Sequence, residues 1–448
     1  MNELPSAHRQ ATAAGNLAPT AADTMTGFGN EHATEALPGA LPEGRNSPQR
    51  PAYGLYAEQI SGTAFTAPRA QNRRTWFYRI APSVLAQGEW RRIDLPLWLT
   101  APSADGTFPH AQCRWSPQPV PEAPADFLDG MASYVWNGDM GAGAGLAVHL
   151  YRANASMERR YFRNADAEMV LLPETGNVSL RTECGVLDLT PGDFAVIPRG
   201  IKIAVDLPDG PSRGYLCENY GAPFELPDLG PIGANGLANP RDFHYPRAAY
   251  EDMAGAFELV QKAGGAFHAC ALSHSPLDVV AWHGTHAPYR YDLRNFNVLG
   301  SISFDHPDPS IFTVLTSRSD TPGVANADLV VFAPRWLVGQ DTFRPPWYHL
   351  NTMSEFMGLL YGVYDAKPKG FLPGGASLHN CMIPHGPSPE SFEAASAHDQ
   401  SPQHIDSGIS FMFECRHPYR VTDHAMTGGA LQTDYPADWQ RLKRQFTG

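Results

Sequence analysis

Hydrophobic and polar positions alternate with a period of two between Glu168 and Asp206. Val178 and Leu180 alternate with Ser179, Arg181 and Glu183, and Ile201, Ile203 and Val205 alternate with Lys202, Ala204 and Asp206. Successive side chains leave a strand on opposite faces, so this is the signature of half-buried strands. Pro191-Gly192-Asp193 and Arg199-Gly200 supply turns around a third strand, Phe194-Ala195-Val196-Ile197-Pro198. Short strands joined by tight turns predict an antiparallel sandwich or barrel. Helical periodicity is rarer. The pattern predicts a modest helix over Glu251 to Lys262 and a short one opened by Ser388, Pro389 and Glu390 and running to Ala395. A terminal helix from Pro436 places Trp439, Leu442 and Phe446 on one face.

Composition extends this picture. A chain of 448 residues is too long for one small core and predicts two lobes. Its 41 Gly and 41 Pro favour many turns and short strands. A net charge of −13 argues against a nucleic-acid partner. Residues 1 to 25, rich in Ala, Thr and Asn, are expected to form a mobile tail, with no basic start or apolar run of a signal peptide. No stretch is apolar over the roughly 18 residues that span a bilayer, so no membrane association is expected. Six cysteines stand without CxxC spacing, which suits reduced thiols in a cytoplasmic protein. The run GAGAG at Gly141 to Gly145 lacks the spacing of a dinucleotide fingerprint and reads as a turn. Walker A and HExxH patterns are absent from the sequence, which removes the common nucleotide-binding and zinc-protease readings.

The chemistry concentrates between Arg344 and Pro387, where His349, Glu355, His379 and His385 occur together. Two His and one carboxylate on one face of a metal suit non-haem Fe(II), because coordination positions stay open. His349 and Glu355 are six apart. On a strand they would stand roughly 20 Å from each other, and on a helix they would face different sides. A shared ion therefore demands that the chain fold back between them, at Leu350-Asn351-Thr352. Spacing leaves the third ligand open between His379 and His385. Outside the segment, His283 and His286 have no carboxylate at a telling offset, and His306 sits between Asp305 and Asp308 as either a turn residue or a base.

Two partial motifs resemble those of cupins. G-x5-P-x-G-x2-H is met at Gly192, Pro198 and Gly200, with Ile203 in place of the histidine, and H-x-H-x3-E-x6-G is met at His349, Glu355 and Gly362, with Asn351 in place of the second histidine. Longer stretches, GFGNEHATEALPGALPEGRNSPQ, YGLYAEQISGTAFTAPR, FDHPDPSIFTVLTS, FRPPWYHLNTMSEFMGL and GFLPGGASLHNCMIPHGP, resemble the homogentisate 1,2-dioxygenase family from about residue 26 to residue 390. The resemblance implies a mainly β, two-lobed cupin-like jelly roll or β-sandwich with a few short helices. It divides the chain into the tail, an N-terminal β-sandwich domain over 26–285 with a metal-less cupin-like lobe, and a C-terminal domain over 286–448 carrying the metal.

The resemblance further implies Fe(2+) held by His349, Glu355 and His385, with His306 as acid/base. Tyr364 and His385 would contact the substrate, and His379 would stand close by. The implied reaction is O2-dependent ring opening of homogentisate to maleylacetoacetate in tyrosine and phenylalanine catabolism. A cytoplasmic homohexamer, a dimer of trimers, is the implied assembly. The competing readings are another ring-cleaving cupin of the gentisate type and a bicupin binding protein without chemistry.

Overall fold

The computed structural model describes residues 24–85, 88–99, 106–228, 238–298, 309–399 and 401–448. The alternating segment forms five strands, Glu168–Thr175, Val178–Thr182, Gly185–Leu189, Asp193–Ile197 and Lys202–Asp206. They divide between two sheets. Val178–Thr182 pairs with Gly185–Leu189 and Lys202–Asp206, whereas Asp193–Ile197 crosses over to lie between Glu168–Thr175 and Tyr289–Asp292. Strands that alternate between facing sheets bury one set of side chains from each, and Leu180, Ile203, Val205, Val196 and Leu171 are all fully buried in one core. Ile203, at the position of a cupin metal histidine, is part of that core.

Among the described residues the sheets have nine, seven, six, four and two strands in open, linear order. The molecule is mainly β, as expected, and closes no barrel among those residues. The expected tail lies outside the described residues except for Thr24 and Met25, which belong to the strand Thr24–Thr26 paired with Phe243–Pro246.

The helix expected over Glu251 to Lys262 is instead a strand, Ala254–Ala263, paired with Ala266–His274. Gly264 and Gly265 both adopt positive φ, 60° and 73°, giving the two-residue turn whose twist matches a hairpin. That turn and the pairing decide the segment in favour of a strand. The short helix forms over Pro389–Ala397, where the Ser388 side chain accepts from the Ser391 N–H. At the C-terminus a 3₁₀ turn, Tyr435–Arg441, replaces the expected amphipathic helix. Of the three residues expected on one face, Trp439 docks, its indole N–H donating to the Pro387 carbonyl at 2.9 Å, while Phe446 is exposed. Among the described residues no helix is long and apolar enough to cross a membrane.

The six-stranded sheet carries the chemistry. Its order is Thr313–Arg318, Ala325–Phe332, Gly408–Cys415, Ser354–Gly362, Ala376–His379 and, at the edge, Cys113–Trp115 from the first half of the chain. Arg420–Val421 makes the reverse exchange by pairing with Met131–Trp136 in the nine-stranded sheet. The buried Tyr215 hydroxyl contacts the carbonyls of Leu359, at 3.2 Å, and Gly375, at 2.7 Å. Ring and strand can approach because Gly358 has no side chain; a Cβ there would stand 2.4 Å from Phe411 and 2.9 Å from Tyr215. The central strand is thereby anchored to the other half of the molecule.

Candidate metal centre

The fold-back demanded between His349 and Glu355 is present. Asn351 Oδ1 accepts from the Met353 N–H at 3.0 Å, bending the chain just before the strand Ser354–Gly362 begins. Met382 sits at φ 58°, a left-handed conformation uncommon for a side-chain-bearing residue, and its N–H donates to the Asn351 carbonyl at 2.7 Å. This second turn returns the chain so that His349 and His385 exchange backbone hydrogen bonds of 2.9 and 3.0 Å. Glu355 enters from the strand, directly opposite His379 on one side and Glu414 on the other.

His349, Glu355 and His385 offer ligand atoms that all lie within 4.8 Å of one another. The hydrogen bonds around them assign the imidazole tautomers. His349 Nδ1 is 2.7 Å from the Trp347 carbonyl and His385 Nδ1 is 2.8 Å from the Ile383 carbonyl. A carbonyl only accepts, so both Nδ1 atoms carry hydrogen, and in neutral rings the Nε2 lone pairs face inward. His385 Nε2 is buried without a hydrogen bond, yet it lies 3.2 Å from Glu355 Oε2; His349 Nε2 lies 3.9 Å from Oε1. Lone pairs turned on a carboxylate at these distances repel unless a cation or a proton stands between them. The donor set therefore fits a metal ion bound by two imidazoles and one carboxylate.

The electrostatics agree. Burial would push the Glu355 carboxyl up, but the three imidazoles gathered around it, His349, His379 and His385, draw it well below the usual carboxylate range, the response of a carboxylate in a setting that favours positive charge. His349 is pushed up, chiefly by Glu355. His379 is arranged differently. Its Nδ1 is 3.1 Å from Glu355 Oε2, its Nε2 is 2.7 Å from Lys367 Nζ, and its ring stacks on His385 at 4.5 Å. Both nitrogens are thus engaged by protein, so His379 supports Glu355 and offers no free nitrogen of its own. Nothing in the spacing distinguishes it from His385; the separating feature is a lysine that meets it only in the fold.

These groups open into a cavity of about 470 Å³ whose walls include Phe332, Met357, Tyr364 and Met412. Tyr364 is buried there, 7% exposed, and burial pushes its hydroxyl far up, so it remains a hydrogen-bond donor. Two acids that the sequence reading passed over, Asp328 and Glu414, also line it. Burial raises both, Glu414 to about 7, which limits the negative charge facing an anionic ligand. His306 lies outside the described residues. His283 and His286 stand elsewhere, contacting Glu31 and the Arg199 carbonyl respectively.

The family model for the homogentisate 1,2-dioxygenase N-terminal region matches residues 23–293, and that for the C-terminal region matches residues 294–446. A protein named homogentisate 1,2-dioxygenase from Nitrobacter hamburgensis is 58% identical over 422 residues, covering 94% of each chain. Proteins of the same name from Rhodopseudomonas palustris and Bradyrhizobium diazoefficiens are 57% and 56% identical, again over 94% of each chain. Solved structures align more loosely. A Bacillus subtilis oxalate decarboxylase variant has a TM-score of 0.26 at 10% identity, covering 70% of this chain and 78% of its own. A cupin 2 conserved barrel domain protein from Leptotrichia buccalis has a TM-score of 0.25 at 10% identity, covering 62% and 84%. With both halves matched by family models and relatives above half identity along nearly its whole length, the chain belongs to the homogentisate 1,2-dioxygenase family.

Proposed function

We propose that this protein is an Fe(II)-dependent homogentisate 1,2-dioxygenase, which opens the ring of 2,5-dihydroxyphenylacetate with O2 to give maleylacetoacetate. The observation that carries the reading is the pair of inward-facing Nε2 atoms of His349 and His385 set against the Glu355 carboxylate. His349, Glu355 and His385 would hold the metal. Bound there, Fe(II) supplies open positions for a phenolate and O2 and a route for electrons between a singlet ring and a triplet oxidant.

The protein's own groups do the rest. Phe332, Met357 and Met412 offer apolar walls that hold an aromatic ring and exclude water. The Tyr364 hydroxyl donates to a substrate oxygen, and its raised pKa keeps it protonated while doing so. His306 accepts the phenolic proton, a role supported by family membership and its two flanking aspartates. The division into an N-terminal domain over 26–285 and a metal-carrying domain over 286–448, a homohexamer built from trimers, a cytoplasmic location and a place in tyrosine and phenylalanine breakdown complete the reading.

Oxygen uptake tests it. Iron-loaded protein should consume O2 with homogentisate and put both oxygen atoms in the product; no uptake sinks the assignment, and faster uptake with gentisate moves it to the neighbouring activity. Glu355→Ala should lose iron and turnover together. His306→Ala should keep its iron and lose turnover, and a retained full rate would remove His306 from the mechanism.

A further inference from the structure

Lys367 is 4% exposed and makes no carboxylate ion pair among the described residues. A buried ammonium without a counter-charge is costly, so its surroundings should show what it serves. Its Nζ is 2.7 Å from His379 Nε2 and 3.4 Å from Gln112 Oε1, and it faces the rings of Tyr435 and Trp439 at 5.7 and 5.8 Å. Of these contacts only the first is short and directional.

The tautomer of His379 follows from its neighbours. Glu355 Oε2, at 3.1 Å from Nδ1, is a carboxylate oxygen that can only accept, so Nδ1 carries the hydrogen. In the neutral ring Nε2 then accepts, and the donor that meets it is Lys367. The other carboxylate oxygen, Oε1, is held by the Asn351 amide at 3.2 Å. Each oxygen of Glu355 thus has one fixed donor, and the plane of the carboxylate is set by the pair.

We propose that Lys367 is a positioning residue for the metal centre: through His379 it locks the Glu355 carboxylate in its ligating orientation. This inference rests on the metal-binding reading above. In it the ammonium, imidazole and carboxylate form a linear chain, Lys367 to His379 to Glu355, in which cutting either link should have the same consequence.

The test is metal affinity of the apoprotein for Co(II), measured by chelator competition, together with the visible spectrum of the Co(II)-loaded protein. Lys367→Met should weaken Co(II) binding by roughly 10–100-fold and alter the spectrum, since loss of a ligand's supporting partner typically costs that much. His379→Phe should do the same, and in its background Lys367→Met should add nothing. Additive losses would overturn the chain. So would a Lys367→Met protein with wild-type affinity and spectrum but a raised KM for homogentisate, which would make the ammonium an anchor for the substrate's acid group. Where the apolar variant does not fold, Lys367→Gln carries the same comparison. Wild-type protein that binds no Co(II) at all would instead refute the metal centre itself, so the two failures are distinguishable.

Discussion

Removing the Lys262 ammonium should destabilise the packed nine- and seven-stranded sheets more than removing it together with its partner. Lys262 and Glu218 are side chains 1% and 0% exposed that meet in a short contact inside the sheets. The Glu218 carboxylate also accepts from Asn164 Nδ2 at 2.6 Å and the Tyr220 hydroxyl at 2.7 Å, and His149 Nε2 lies 3.3 Å away. Burial would push Glu218 up, but the Lys262 charge and His149 hold it far below the usual range. In Lys262→Met the two neutral donors remain but the cation is gone. Leaving one buried charge uncompensated costs about 3–5 kcal/mol. For a cooperative unit of 150–250 residues, where each kcal/mol moves Tm by about 2–4 °C, the loss is on the order of 10 °C.

The sign of its pH dependence is also set. In wild-type protein the depressed Glu218 contributes stability that is present above its unfolded pKa and lost on acidification. In Lys262→Met the carboxyl should be raised, and a proton on Glu218 or His149 relieves the buried charge, so the Tm gap to wild type should narrow from pH 8 to pH 5.5. Lys262→Met/Glu218→Gln should recover most of the loss. Differential scanning calorimetry of the three proteins at both pH values decides the matter. A single variant within 1 °C of wild type, or a gap that widens in acid, would refute the reasoning.

Glu168 should show the opposite linkage, because burial raises it to about 7 despite the Phe224 N–H donating to it at 2.8 Å. A raised carboxyl stabilises fully below its unfolded pKa and loses that contribution as pH rises through about 7, up to roughly 3 kcal/mol at about 1.4 kcal/mol per unit. Tm measured from pH 5 to pH 8.5 should therefore favour Glu168→Gln over wild type increasingly toward alkaline pH, and a constant difference would count against it. Gly358→Ala should cost about 1–3 kcal/mol by forcing Phe411 and Tyr215 apart, seen as a lower Tm; an unchanged Tm would show that these rings yield freely.

How much of this was legible depends on how local each cause is. The strands between Glu168 and Asp206 were readable because their alternation and their turns lie within the same few dozen residues, although which sheet each joins was not. The fold-back between His349 and Glu355 was readable as a geometric demand, and Asn351 meets it with its own side chain. The strand Ala254–Ala263 was misread because the partners that decide the matter, Glu218 for Lys262 and the hairpin strand Ala266–His274, lie outside the segment. Lys367, in the polar run Ala366-Lys367-Pro368-Lys369-Gly370, has the sequence setting of a solvated loop residue, yet it is buried behind Gln112, Tyr435 and Trp439, contributed from both ends of the chain.

The same contrast separates the two polar clusters of the molecule. Around Glu218 the counter-charge is a lysine that touches the carboxylate itself, so the position a cation would take is filled by protein. Around Glu355 the lysine is held one imidazole away, and the space next to the carboxylate is bordered instead by the lone pairs of His349 and His385. Both arrangements set a buried lysine against a buried carboxylate. The interposed His379 is the difference: it lets Lys367 hold Glu355 in place without competing for the face that a metal would occupy.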